Sequence, residues 1–210
     1  MQTLRVALPR FSPSGAGVVR YEIRLAGRGG QGLVLAGLIL GEAALRSGRN
    51  VAMSQSYAPR VRGGLSFSEV VIDEEEIIYP KAVSPHLLLV MSQEALEEHG
   101  SQLRPGGTVI IDSTEVEGEP QVEGRVIKVP ITGLARERLR AVAANIVALG
   151  VLGGATGIIA KEELIERLRA HAPKGTERLN EEALELGWEE GERAREGYIP
   201  QPRVKGKDRP

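Results

Sequence analysis

Cysteine is absent from this chain. That removes disulfides, a thiolate nucleophile and the usual thiolate ligation of an iron–sulfur cluster from anything the chain does by itself. Histidine is scarce: His86, His99 and His171 stand apart, without the paired spacing of a metal site, so the sequence assigns neither a metal ligand nor a catalytic residue. Aromatic residues are 3% of the 210 while glycines number 26, so the core should be aliphatic and closely packed. A formal net charge of −1 gives no field that would favour nucleic acid or a membrane surface. No apolar run is long enough to span a bilayer, and the start lacks a charged region followed by an apolar stretch and a cleavage site. A cytoplasmic protein is expected.

What the chain has in excess is glycine, and its densest cluster organises the reading. Tyr21, Ile23 and Leu25 alternate with Glu22, Arg24 and Ala26, the two-residue period of a strand. Gly27, Gly29 and Gly32 follow in G-x-G-x-x-G spacing, with Gly30 as a fourth glycine and Gln31 between. Such a turn lets a partner approach the main chain, and the helix after it offers unpaired N–H groups and a positive dipole end to an anion. Gly37, Gly41, Ala44 and Gly48 leave one face of that helix nearly bare, so the sheet or another chain must press against it. The bland alternative is that all these glycines serve strand-to-helix packing alone.

A standard NAD site would put a carboxylate about twenty residues on, at the end of the second strand, to hold a ribose hydroxyl. Val51, Ala52, Met53, Ser54 and Gln55 occupy that region, and none is acidic. The strand expected over 51–54 runs instead into QSYAPRVRGG, the second unusual stretch. Ser56, Tyr57, Arg60, Arg62, Gly63 and Gly64 combine an amphipathic ring, two guanidinium groups suited to carboxylate or phosphate, and a flexible pair. A loop leaving the carboxyl end of a strand lies on the edge where open α/β sheets bind ligands, although an ordinary exposed loop carries such residues too.

Further strands are expected at 65–72, 87–91, 108–111 and 126–129. A returning edge strand at 77–79 would make an antiparallel hairpin with the first of these and give a mixed sheet. Ser92 is placed to cap a helix, Thr132 to cap a long one running through 134–153, and Asn145 within it needs a packing partner. Two more helices follow, over 161–171 and 176–192. The fold class is a three-layer α/β/α Rossmann-like domain with a mostly parallel sheet over 21–192. Residues 1–20 form an arm before it, and 193–210 a basic tail that is disordered or ordered against a partner.

GRGGQG opening a small-residue helix, QSYAPRVRGG, SEVVIDEEEIIYP, SQEAL, GGTVIIDS, ANIVALG and the late Asn180, Ala183, Gly187 pattern together resemble the gamma subunit of 2-oxoacid:ferredoxin oxidoreductases, over residues 21 to about 190. The resemblance implies a multi-subunit enzyme that oxidatively decarboxylates a 2-oxoacid, joins the acyl group to coenzyme A and reduces ferredoxin. It places thiamine diphosphate, magnesium and iron–sulfur clusters on alpha, beta and ferredoxin-like delta partners, since this chain has no cysteine and no GDG motif followed by the asparagine of a thiamine site. Within that family, Gly27, Gly29, Gly30, Gln31 and Gly32 would meet a phosphate-bearing ligand, coenzyme A, or a subunit contact. Ser56, Tyr57, Arg60, Arg62, Gly63 and Gly64 would lie toward substrate or interface. Arg60 departs from the family pattern, where an acidic or neutral residue is more usual. QSY and SEV look more like 2-oxoglutarate chains than pyruvate chains. A ligand-free scaffold and a free-standing dinucleotide-binding reductase are the alternatives, and the isolated chain, expected to be inactive, has a homodimer open to it.

Overall fold

The computed structural model describes residues 20–57 and 64–196. Four strands, β1 (Tyr21–Arg28), β4 (Leu87–Val90), β5 (Gly107–Asp112) and β6 (Gly124–Val129), lie side by side and parallel. On the other side of β1, β3 (Leu65–Asp73) pairs antiparallel with it and antiparallel again with β2 (Asn50–Tyr57). The sheet therefore reads β2-β3-β1-β4-β5-β6, mixed as expected.

Alternation along the strands divides the core. Ile23, Leu25, Leu87, Leu89, Ile110, Ile127 and Val129 pack on one face, with α1 (Leu33–Arg46), α3 (Ile131–Arg138), α4 (Ala144–Thr156), α5 (Lys161–His171) and α6 (Glu177–Glu196). Ala26, Leu88, Val90, Val109 and Ile111 pack on the other, with α2 (Gln93–His99). β4 and β5 are buried on both faces, which is why they read as continuous apolar runs. Ser92 caps α2, its Oγ accepting from Ala95 N at 3.3 Å.

Helices α4 and α6 meet through glycine. A Cβ on Gly150 would lie 2.3 Å from Leu184 O, and one on Gly187 2.0 Å from Val147 O, so the two backbones touch directly. The bare face of α1 presses on the sheet: a Cβ on Gly37 would strike Ser68 Oγ and one on Gly41 would strike Met53.

Several expected elements are corrected. Residues 77–79 form no strand; the hairpin partner of β3 is β2, which continues through Gln55, Ser56 and Tyr57. An edge strand with one exposed face tolerates such polar residues, so their polarity did not mark a loop. The helix expected over 134–153 is two helices, because Leu139 (φ −136°, ψ −111°) and Arg140 (φ −145°, ψ 142°) leave helical geometry between them. Thr132 is not the cap of α3. Pro130 holds that position, while Thr132 sits in the first turn with its N–H and hydroxyl both donated to the buried Asp112 carboxylate. α6 runs to Glu196, one turn past its expected end. The arm, apart from Arg20, and the tail beyond Glu196 lie outside the described residues.

Candidate ligand and interface site

β1 extends further than its alternation implied, so Gly27 and Arg28 are still paired, with Ser66 and Leu65. The turn itself is Gly29 to Gly32. Gly30 (φ 93°) and Gly32 (φ 73°) take the left-handed conformation, and Gly32 opens α1 without any side-chain cap. No acidic residue stands in the first turn of α1, so no carboxylate of the helix's own meets its first N–H groups. Gly29, Gly30 and Gly32 are exposed and Gln31 is half-buried.

The structure brings parts of the two motifs together. Gly29 N donates to Gly64 O at 2.8 Å, tying the end of the second motif to the turn. Tyr57 and Gly27 both pair with Ser66, from opposite sides. Their backbones are thus two strand spacings apart, about 10 Å. Ser56 is exposed on the edge strand. Arg60, Arg62 and Gly63 lie outside the described residues, as does the side chain of Tyr57.

Three neighbours escaped sequence reading. Asn145, from α4, donates to Gly32 O at 3.2 Å; its need for a partner was legible, the partner was not. Glu94 and Glu115 hold Arg28, at 3.1 and 3.4 Å, and Arg136 pairs with Glu115 at 3.1 Å. The backbone N–H at the start of α2, and after it the Arg28 guanidinium, hold the Glu94 carboxyl below the usual carboxylate range. Arg28 thus points toward α2, on the far side of the turn from Gly64. No local signal marks these pairs, since the partners are separated by 66 and 87 positions.

Residues 22–190 match the model of the pyruvate ferredoxin/flavodoxin oxidoreductase family. The chain belongs to this family. The 2-oxoglutarate synthase subunit KorC of Methanocaldococcus jannaschii is 42% identical over 175 residues, 81% of this chain and 94% of that one. The gamma subunit of a keto/oxoacid ferredoxin oxidoreductase from Geobacter sulfurreducens, a crystal structure, is 37% identical and superposes with a TM-score of 0.77 over 85% of this chain and 99% of its own. A 2-oxoglutarate:ferredoxin oxidoreductase from Magnetococcus marinus, solved with 2-oxoglutarate, coenzyme A and succinyl-CoA bound, shares the fold at 21% identity and a TM-score of 0.75, over 88% of this chain and 32% of that one. Relatives named for other 2-oxoacids also occur: a ketoisovalerate oxidoreductase subunit VorA at 35% over 139 residues, and a pyruvate synthase subunit PorC at 29% over 178 residues. This chain is therefore a gamma subunit of a 2-oxoacid:ferredoxin oxidoreductase, an oxidoreductase component that works with other subunits. No helix among the described residues is long and apolar enough to cross a membrane.

Proposed function

We propose that this gamma subunit serves an enzyme acting on 2-oxoglutarate in preference to pyruvate or branched-chain 2-oxoacids, and that its Gly29–Gly32 turn forms the wall facing coenzyme A. The preference rests on QSY and SEV, and on the KorC relative at 42% identity, against 35% for VorA and 29% for PorC. The role of the turn rests on one observation above the others: an uncapped helix start with no acid in its first turn, held open beside Gly64 by the Gly29 hydrogen bond. Thiamine diphosphate, magnesium and iron–sulfur clusters on alpha, beta and delta chains would supply decarboxylation and the electron path to ferredoxin in a cytoplasmic complex. This chain would contribute main-chain N–H groups to the coenzyme's phosphates, with Tyr57, Arg60 and Arg62 on the adjoining stretch toward substrate or interface. The free-standing reductase is disfavoured by the missing carboxylate near the end of β2.

Charge at Gly30 tests the reading. Nothing lies within 4 Å of a Cβ there. Asn and Asp are the side chains that best tolerate its positive φ. In the complex purified with its partner chains, Gly30→Asp should raise the Michaelis constant for coenzyme A about tenfold over Gly30→Asn, the loss expected from placing a carboxylate beside a phosphate. Equal constants for the two variants would remove the turn from the coenzyme site.

A further inference from the structure

The side chain of Gln31 turns away from the exposed face of its own loop. Oε1 accepts from Arg28 N at 2.6 Å and Nε2 donates to Met91 O at 2.8 Å. Arg28 ends β1, and Met91 follows β4 directly, its own N–H donated to Ala26 O at 2.9 Å. One amide thus spans the carboxyl ends of two adjacent parallel strands. This is also where the chain connections diverge: α1 leads from β1 out to β2, and α2 leads from β4 to β5 on the other side. In open α/β sheets that divergence opens the crevice into which a dinucleotide lowers its phosphates. Here protein fills it.

Gly27 shows how completely. A Cβ on it would lie 2.3 Å from Gln31 Oε1, 2.9 Å from Leu33 Cδ1 and 3.1 Å from Met91 Cβ. The first glycine of the motif makes room for the glutamine amide and not for a ligand.

We infer that Gln31 is a positioning residue for coenzyme A: its amide closes the crevice between β1 and β4 and locks the turn, so that a phosphate meets only the outer face at Gly29 and Gly30. The inference rests on the proposal that this turn faces coenzyme A. A turn held by two internal hydrogen bonds loses little freedom when the ligand arrives, so the contribution of the amide belongs to coenzyme affinity and not to the chemical step. It also makes the site shallow, which suits a ligand clasped between this chain and a partner.

Gln31→Met keeps the crevice filled without hydrogen bonds, and Gln31→Glu keeps the acceptor while setting a carboxylate against Met91 O. Both are measured in the purified complex, varying coenzyme A and then the 2-oxoacid. The expected result is a rise of about tenfold in the Michaelis constant for coenzyme A, the size of a lost hydrogen bond or two, with kcat and the 2-oxoacid constant changed less than about twofold. Gly27→Ala, which evicts the amide, should reproduce it. An unchanged coenzyme constant, a parallel loss in both substrates, or failure of all three variants to assemble would overturn the inference. The Gly30 pair separates it from the reading beneath. If Gly30→Asp raises the coenzyme constant and Gln31→Met does not, only the positioning role falls; if Gly30→Asp has no effect, the coenzyme reading falls with it.

Discussion

The side-chain amide of Asn145 donates to the carbonyl of Gly32 across 113 positions of sequence, at 3.2 Å. The same carbonyl accepts from Ala36 N at 3.2 Å, so the first turn of α1 is held by its own ladder and by α4 together. Asn145 is buried, and a Cβ on Gly32 would lie 2.5 Å from its Nδ2. Asn145→Ala should lower stability to urea by about 1–3 kcal/mol, from a lost buried hydrogen bond and a small cavity. Gly32→Ala should cost more, because its φ of 73° strains any L side chain and the amide stands in the way. The double variant should lose less than the sum, since removing the amide clears the space. Strict additivity would show that the two residues do not interact.

On the α2 face of the sheet the core is charged. Arg24 donates to Glu69 Oε1 through Nε (3.1 Å) and Nη2 (2.6 Å) and to Ala82 O at 2.6 Å, and Ser54 Oγ donates to Glu69 Oε2 at 2.6 Å. The guanidinium carbon lies 5.3 Å from the centre of the Phe67 ring. Both charged residues are buried, so Arg24→Met alone should cost about 3–5 kcal/mol by stranding the carboxylate. Arg24→Met with Glu69→Leu should recover most of that loss, measured as the denaturation midpoint. No recovery would mean that the pair stabilises more than its own desolvation costs.

Much of this architecture was legible where one physical signal dominated. The alternation of 21–26 and the apolar runs of 87–91 and 108–111 report burial directly, and burial follows from strand position. The bare face of α1 was legible too, but whether sheet or second chain covered it depended on β2 and β3 folding beneath, with Ser68 and Met53 against Gly37 and Gly41. The break between α3 and α4 has no proline or glycine to announce it; α3 is fixed at its start by Asp112, twenty positions earlier in the chain. At the candidate site the motif located the turn, while the inward side chain of Gln31 and the reach of Asn145 are products of tertiary packing. Spacing alone cannot show which way a turn's side chain points.

Two histidines make the fold acid-sensitive. Burial, and then Arg104, push the pKa of His86 down to about 4, while its Nδ1 accepts from Glu22 N at 3.1 Å. Burial, and then Arg24, lower that of His99. Below pH ~6.5 the unfolded chain binds protons at both positions that the folded chain refuses. Their contribution is therefore complete above about 6.5 and is lost as pH falls below it, toward about 4 in the case of His86, by at most about 1.4 kcal/mol per pH unit for each histidine. His99→Met should be close to neutral at pH 7 and should flatten the decline below pH ~6.5, measured as urea midpoints. An unchanged slope would show that His99 titrates normally in the folded protein.

Gly187 offers a test in which two effects oppose in sign. It lies within α6, where replacing glycine with alanine ordinarily stabilises a helix by about 1 kcal/mol. Its position against α4 argues the reverse: a Cβ there would lie 2.0 Å from Val147 O and 2.8 Å from Val147 C, both backbone atoms that no rotamer change can move aside. The helices would have to separate, opening the contact between them that Gly150 and Gly191 also require. Gly187→Ala should therefore destabilise by about 2–4 kcal/mol despite its better helix propensity. Glu189→Ala, exposed on the same helix, should stay within about 0.5 kcal/mol. Hydrogen exchange in α4 and α6 should quicken in the glycine variant before it does in β4 and β5, because the loss is local to the helix contact. A stabilised Gly187→Ala variant would mean that the two backbones do not touch.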